Sequence, residues 1–240
     1  MSALPTRKLE AYRYADIDAL AAVWSDLSPP EPIEIAAQQK LQQIWLPSAD
    51  EVQIRRVELT LREGASASIF ALNTATRYGR IELDVRLHEG ADFAFHAANI
   101  GAGKATLEIV TTVRHLAPAA TSRQVIRSVL GGKATGSYLG KVAVARDAQQ
   151  SDSEQSVKAM LLDRGATANA KPELEIYADD VKCAHGATVG ELDRELYSTR
   201  PRGGSIRPRP APYCSRDSSA ACGTTSKAPT KTSPTSPAPR

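Results

Sequence analysis

The sequence predicts a mainly β protein of many short strands, led by a short helical segment and closed by a disordered tail. Three observations carry this. From Val52 to about Val189 apolar residues alternate with polar or small ones at period two. Gly-Ala pairs punctuate the alternation, as at Gly64-Ala65, Gly90-Ala91, Gly101-Ala102, Gly165-Ala166 and Gly186-Ala187. The last 45 residues lose apolar periodicity altogether and hold eight of the fifteen prolines.

Residues 1–48 read as the helical segment. Ile17, Leu20, Ala21 and Trp24 share one helical face within 16–24. Pro29, Pro30 and Pro32 interrupt the pattern, and Glu34–Trp45 reads as a second short amphipathic helix. Residues 49–195 form the β core. Its strand signals are 57–61, 68–72, 80–87, 92–97, 106–113, 125–130, 137–145 and 173–178, with β-branched enrichment. Such strands suit a sandwich, a barrel or a β-helix, and pattern alone does not choose. The three phenylalanines, Phe70, Phe93 and Phe95, are few, which leans toward a solenoid filled by aliphatic ladders.

Residues 196–240 carry eight Lys or Arg and a single acid, Asp217, so they hold +7 of a chain whose net charge is +3. The remainder is mildly acidic, which gives no reason to expect nucleic-acid binding. So polar and proline-rich a tail cannot bury enough surface to offset its ordering entropy. No apolar run approaches the roughly 20 residues that span a bilayer. The first residues lack the apolar centre of a secretory signal. Cys183, Cys214 and Cys222 are too scattered for a disulfide framework, and a reducing cytoplasm is expected.

Chemistry concentrates in Cys183-Ala184-His185-Gly186. At i and i+2 of a strand, Cys183 and His185 point to one face about 7 Å apart. Thiolate suits iron–sulfur chemistry and imidazole is a borderline ligand for iron or zinc. The plainer reading is a packed thiol and a histidine bonded to backbone. His88, His96 and His115 are far apart in sequence and read as solvated or packing residues. Glu173, Glu175, Asp179 and Asp180 read as a solvated strand face, with Asp180 placed to orient Lys182 or a turn. Cys214 and Cys222 have no His partners for zinc. There is no GxxxxGK[ST], GxGxxG, GxSxG, HExxH or CxxC, so no ATP hydrolysis is expected of this chain by itself.

The stretch Lys171–Gly190 that holds Cys183 and His185 resembles the late core of the SufB/SufD family of iron–sulfur cluster assembly proteins, SufD above all. The resemblance extends through Ser122-Arg123, Gly131-Gly132-Lys133-Ala134, Gly140-Lys141-Val142, Leu161-Leu162 and Glu191-Leu192-Asp193, roughly a third of the chain. Pro5 to Tyr14 resembles the SufD opening motif, with Tyr12 where the family has Trp and Ala15 where it has Thr. The resemblance implies a right-handed parallel β-helix over the core. It implies a non-catalytic scaffold that pairs with SufB through strands near Glu173–Gly190 and works with the SufC ATPase. It implies that His185, and less firmly Cys183, meet a transient iron–sulfur cluster at the SufB interface. A polysaccharide-active β-helix enzyme and a metal-free interaction solenoid are the rival readings.

In the family, SufC docks on C-terminal helices that are not legible after Glu195. One base restored before codon 196 changes this. Leu196–Arg200 then admits Ala-Leu-Phe-Tyr-Ala, and Ser205–Ser215 admits Ile-Asp-Pro-Ala-Thr-Ala-Arg-Ala-Leu-Leu-Leu. Both follow family order. The expectation is a one-base deletion near codon 196, an accidental tail, and loss of SufC recruitment in the chain as written.

Overall fold

The computed structural model describes residues 4–48 and 50–192. The expectations placed on residues 193–240, the disordered tail, Cys214 and Cys222 among them, lie outside the described residues.

Among the described residues twelve strands follow one α-helix: β1 (Glu31–Ile35), β2 (Lys40–Trp45), β3 (Val52–Leu61), β4 (Ser66–Asn73), β5 (Tyr78–Leu87) and β6 (Asp92–Gly101), then β7 (Thr106–His115), β8 (Thr121–Leu130), β9 (Thr135–Val144), β10 (Asp152–Leu161), β11 (Thr167–Ile176) and β12 (Lys182–Glu191). Odd strands stack in one sheet in the order β1-β3-β5-β7-β9-β11, and even strands stack in a second as β2-β4-β6-β8-β10-β12. Every strand pairing is parallel. Each coil supplies one strand to each sheet, which makes a parallel β-helix of six coils. This settles the choice that periodicity left open.

In-register stacking puts like positions above one another. Leu59, Leu83, Ile109 and Val142 line the interior from the odd sheet, and Ile69, Phe93, Phe95 and Ile126 from the even sheet. Fixed corners hold the register. Gln38, Gly64, Gly90, Ala119 and Gln150 all take a left-handed backbone with φ near 60°. Each donates its N–H to a carbonyl of the next coil, at Glu63, Glu89, Pro118, Gln149 and Asp180. Glycine adopts this conformation freely, and Gln38, Ala119 and Gln150 hold it at some strain. The Gly186-Ala187 pair is no corner: it lies inside β12.

The expected helix at Glu34–Trp45 is corrected. Its residues end β1, turn at Gln38 and form β2, so the β-helix begins at Glu31 rather than at 49. Ala, Gln, Lys and Leu favour helix in isolation. Here Ile33 and Ile35 stack on Leu59 and Leu61, and that packing overrides a weak local preference. The helical part of the leader is α1 (Ile17–Val23), where the Asp16 side chain accepts from the Ala19 N–H at 3.0 Å, flanked by single 3-10 turns.

That leader lies on the outer face of the odd sheet. Ala15, Ala19 and Leu20 pack on Tyr78. The Tyr12 ring covers the Arg80 guanidinium at 4.2 Å. Arg80 is 1% exposed and pairs with Glu82 at 3.2 Å and Glu108 at 3.1 Å, while the Tyr78 hydroxyl donates to Glu108 at 2.5 Å. Burial pushes the Glu108 carboxyl above its usual range, against the pull of Arg80. Glu10 reaches Lys171 on β11. The Pro5–Tyr14 motif is therefore a docking strap, with Tyr12 and Glu10 as its contacts. Among the described residues no helix is long and apolar enough to cross a membrane.

Candidate functional site

Cys183 and His185 lie on β12, the last strand of the even sheet. Strand register shows which way they face. Ala67, Phe93, Ser122, Ser153 and Cys183 form one ladder across five strands. Ile69, Phe95, Gln124, Gln155 and His185 form the next. The first four members of each ladder are buried interior positions. Both chemical residues are therefore interior residues by register, on the last coil, beyond which no strand stacks among the described residues. Cys183 packs partly against the core, while His185 is exposed.

Beneath them the apolar interior turns polar. His115 Nε2 lies 2.8 Å from Ser122 Oγ, and Ser122 Oγ donates to Ser153 Oγ at 2.9 Å, one step below Cys183. In the neighbouring ladder the Thr111 hydroxyl donates to Gln124 Oε1 at 2.7 Å. The Tyr138 hydroxyl donates to the same oxygen at 3.1 Å, and Gln155 Nε2 donates to the Tyr138 oxygen at 3.0 Å, one step below His185. Sequence reading named His115 as a solvated or packing residue and missed its hydrogen-bonded partners. Their only signal was polar residues at inward parity: Ser122 and Gln124 in β8, Ser153 and Gln155 in β10.

Burial pushes the Cys183 thiol up, the charge of Asp152 adds to this, and a backbone bond at Ser153 opposes it. In the chain alone Cys183 is a protonated thiol at neutral pH rather than an activated thiolate. Burial drives His115 down to about 4, so this interior histidine is neutral.

The other candidate residues do not join the site. His88 sits at a corner, 3.4 Å from Arg62. His96 faces outward from the even sheet and stacks on Phe70 with ring centroids 5.0 Å apart. His115 is buried inside. Glu173 pairs with Lys171 and Glu175 with Lys141, as a solvated ion-paired face. Asp180 is engaged through its backbone: its N–H donates to Gln149 Oε1 at 2.9 Å, and its carbonyl accepts from Gln150. No group of three or more His, Cys, Asp or Glu side chains is placed to hold a metal ion among the described residues. Cys183 and His185 thus offer two donors of a set that needs more.

The open coil is also an edge. β11 and β12 each end their sheet, so one row of backbone N–H and C=O groups on each has no strand neighbour among the described residues. Apolar side chains accompany that edge: Ile176, Tyr177 and Val189 are exposed.

Residues 33–203 match the family model described as SUF system FeS cluster assembly, SufBD core domain. The chain is 38% identical over 94 residues to the iron–sulfur cluster assembly protein SufD of Escherichia coli, covering 39% of this chain and 22% of that protein. It is 29% identical over 158 residues to an iron–sulfur cluster assembly SufBD family protein of Synechocystis, covering 65% and 35%. It is 29% identical over 105 residues to the SufD protein of Bacillus subtilis, covering 43% and 24%. The matched stretches thus span about a third of these relatives' length or less. With the family model covering most of the sequence and a six-coil parallel β-helix beneath it, the chain belongs to the SufBD core family of the SUF iron–sulfur cluster assembly system.

Proposed function

We propose that the chain is a SufD-like, non-catalytic scaffold of cytoplasmic iron–sulfur cluster assembly. It pairs with SufB through the open coil, and the cluster is cargo built at the shared face. The observation that carries this is the placing of Cys183 and His185: interior positions by register, on a terminal coil, beside strand edges that lack a neighbour and with too few ligands to hold metal among the described residues. A second chain at that end would complete the ligand set. A partner strand on β11 or β12 would satisfy their free backbone groups and bury Ile176, Tyr177 and Val189 in the same step. His185, exposed on the last strand, offers an imidazole nitrogen there. Cys183 contributes once its proton leaves to metal or to a base brought by the partner. Nucleotide hydrolysis belongs to the separate SufC ATPase.

The sugar-active rival needs grouped, unpaired carboxylates in a groove. On the outer faces Glu31, Glu34, Glu58, Glu82, Asp84 and Glu175 are held by arginine or lysine instead. The test is His185→Ala. Exposed substitutions alter stability by about 0.5 kcal/mol or less, so the variant folds, and iron–sulfur reconstitution of the SufB complex is impaired. Normal cluster maturation with His185→Ala rules the role out, and failure of any cluster to form in the wild-type complex favours the metal-free solenoid.

A further inference from the structure

Gln155 is 1% exposed and ends the interior hydrogen-bond chain of Thr111, Gln124 and Tyr138. The Tyr138 hydroxyl has one proton and gives it to Gln124 Oε1 at 3.1 Å. Its oxygen is then free to accept: Thr111 Oγ1, 3.2 Å away, gives its own proton to Gln124 Oε1, and Gln155 Nε2 is the donor to Tyr138 at 3.0 Å. This fixes the orientation of the Gln155 amide: nitrogen toward Tyr138, oxygen away from it. Gln155 Oε1 is then left buried with no hydrogen-bond partner among the described residues. A buried acceptor in that state has lost its water and gained nothing in return.

The ladder step above Gln155 is His185. Paired residues on neighbouring strands are about 4.8 Å apart and point the same way. His185 makes no hydrogen bond among the described residues, and a neutral imidazole carries one N–H with one free lone pair. Histidines that bind metal fix the choice between their two nitrogens by donating the other ring N–H to an oxygen. An unused buried oxygen and an unused ring donor thus occupy adjacent rungs of one ladder.

We propose that Gln155 is the positioning residue of His185: its Oε1 accepts the imidazole N–H, selects one tautomer, and leaves the other ring nitrogen as the lone-pair donor at the open end of the coil. The order of the chain follows. Tyr138 orients Gln155 and Gln155 orients His185, so a residue on the coil below the last one acts on the ligand without touching it. The use made of that lone pair rests on the function proposed above; the hydrogen bond itself is a property of this chain alone.

The test reads the ring directly. In the full chain with 15N-labelled histidine, long-range 1H–15N correlations at a pH where His185 is neutral show a single tautomer. Gln155→Leu converts it to the two-tautomer mixture of a free imidazole, and Gln155→Glu, which keeps an oxygen at the same place, retains the single form. Gln155→Leu folds, because it removes an unpaired buried oxygen and leaves Tyr138 its bond to Gln124. The wild-type spectrum decides the matter even without that variant: a tautomer mixture in the unaltered chain overturns the inference, as does a single tautomer that survives Gln155→Leu. With Zn2+ as the probe, Gln155→Leu weakens His185-dependent binding by about 10- to 100-fold. A fixed tautomer in a chain whose His185→Ala variant still supports normal cluster formation upholds the positioning and rejects the proposed function, so the two failures are separable.

Discussion

Phe95 and His185 occupy the same position of the coil, three strands apart on one ladder, yet the first is fully buried and the second is exposed. Nothing local separates them. Both lie in ten-residue strands, both face inward, and both have a stacked neighbour below. Phe95 also has Gln124 stacked on it, and His185 has no strand on its other side among the described residues. In a solenoid, burial is supplied by the next coil. A residue type that would be inert in the middle is available for chemistry at the end. The same gradient runs through composition. The interior is Ile and Phe at the start of the ladder, Gln in its middle and His at its end, so polarity rises toward the open face.

The largest test of this comparison truncates one inward side chain in each of the two regions. Phe95→Ala empties a closed coil that neighbours above and below keep from collapsing, and such truncations cost about 3–5 kcal/mol. Val189→Ala, also inward by register but 50% exposed, stays within about 1 kcal/mol because little water-excluded contact is lost. Urea midpoints of the two variants measure the difference. Equal losses would mean that the last coil is covered as fully as the middle, and the open-end reading would fall.

Much of this was legible beforehand, and the misses have one cause. Alternation and corners located the core strands, and Cys183 and His185 stood out because thiol and imidazole two apart on a strand share a face. At 34–45 the residues favour helix locally, and only stacking on β3 and β4 makes them strands. Gln124, Tyr138 and Gln155 went unseen for the same reason. They are up to 31 residues apart in sequence and meet only when coils of 26 to 31 residues are laid in register. The strap was half legible: its motif was recognised, but the buried Arg80–Glu108 pair it covers belongs to β5 and β7 and carries no sequence mark.

A second test uses acid against the buried polar ladder. His115 is fully buried and its pKa falls from 6.5 to about 4. Between those values the unfolded chain binds a proton that the folded chain refuses. The stabilisation is therefore complete above pH 6.5 and is lost as pH drops toward 4, by roughly 3 kcal/mol in all. His115→Gln removes this contribution, so its unfolding free energy changes less between pH 7 and pH 4.5 than that of the unaltered chain. A parallel pH dependence in both proteins would mean that the histidine is hydrated and that the interior next to Cys183 is wet rather than closed.

The smallest expected effect on stability is also the most direct probe of the open end. Ala187 follows His185 by one inward step on β12 and is exposed, whereas Val157, its register partner on β10, is buried. A lysine at 157 would bury its charge in the coil and destabilise strongly. A lysine at 187 can lay its methylenes over Val157 and keep its ammonium in water, so Ala187→Lys should melt within a degree or two of the unaltered chain. Docking reverses the ranking. A partner that pairs with the β12 edge must cover position 187 and desolvate the ammonium, so Ala187→Lys should weaken capture of SufB by about tenfold or more while leaving the free chain folded. Pull-down with SufB, set beside the thermal melt, reads both effects on one sample. Undiminished capture by a folded Ala187→Lys chain would show that SufB meets some face other than the open coil, and Cys183 and His185 would then lose the shared surface that their placing implies.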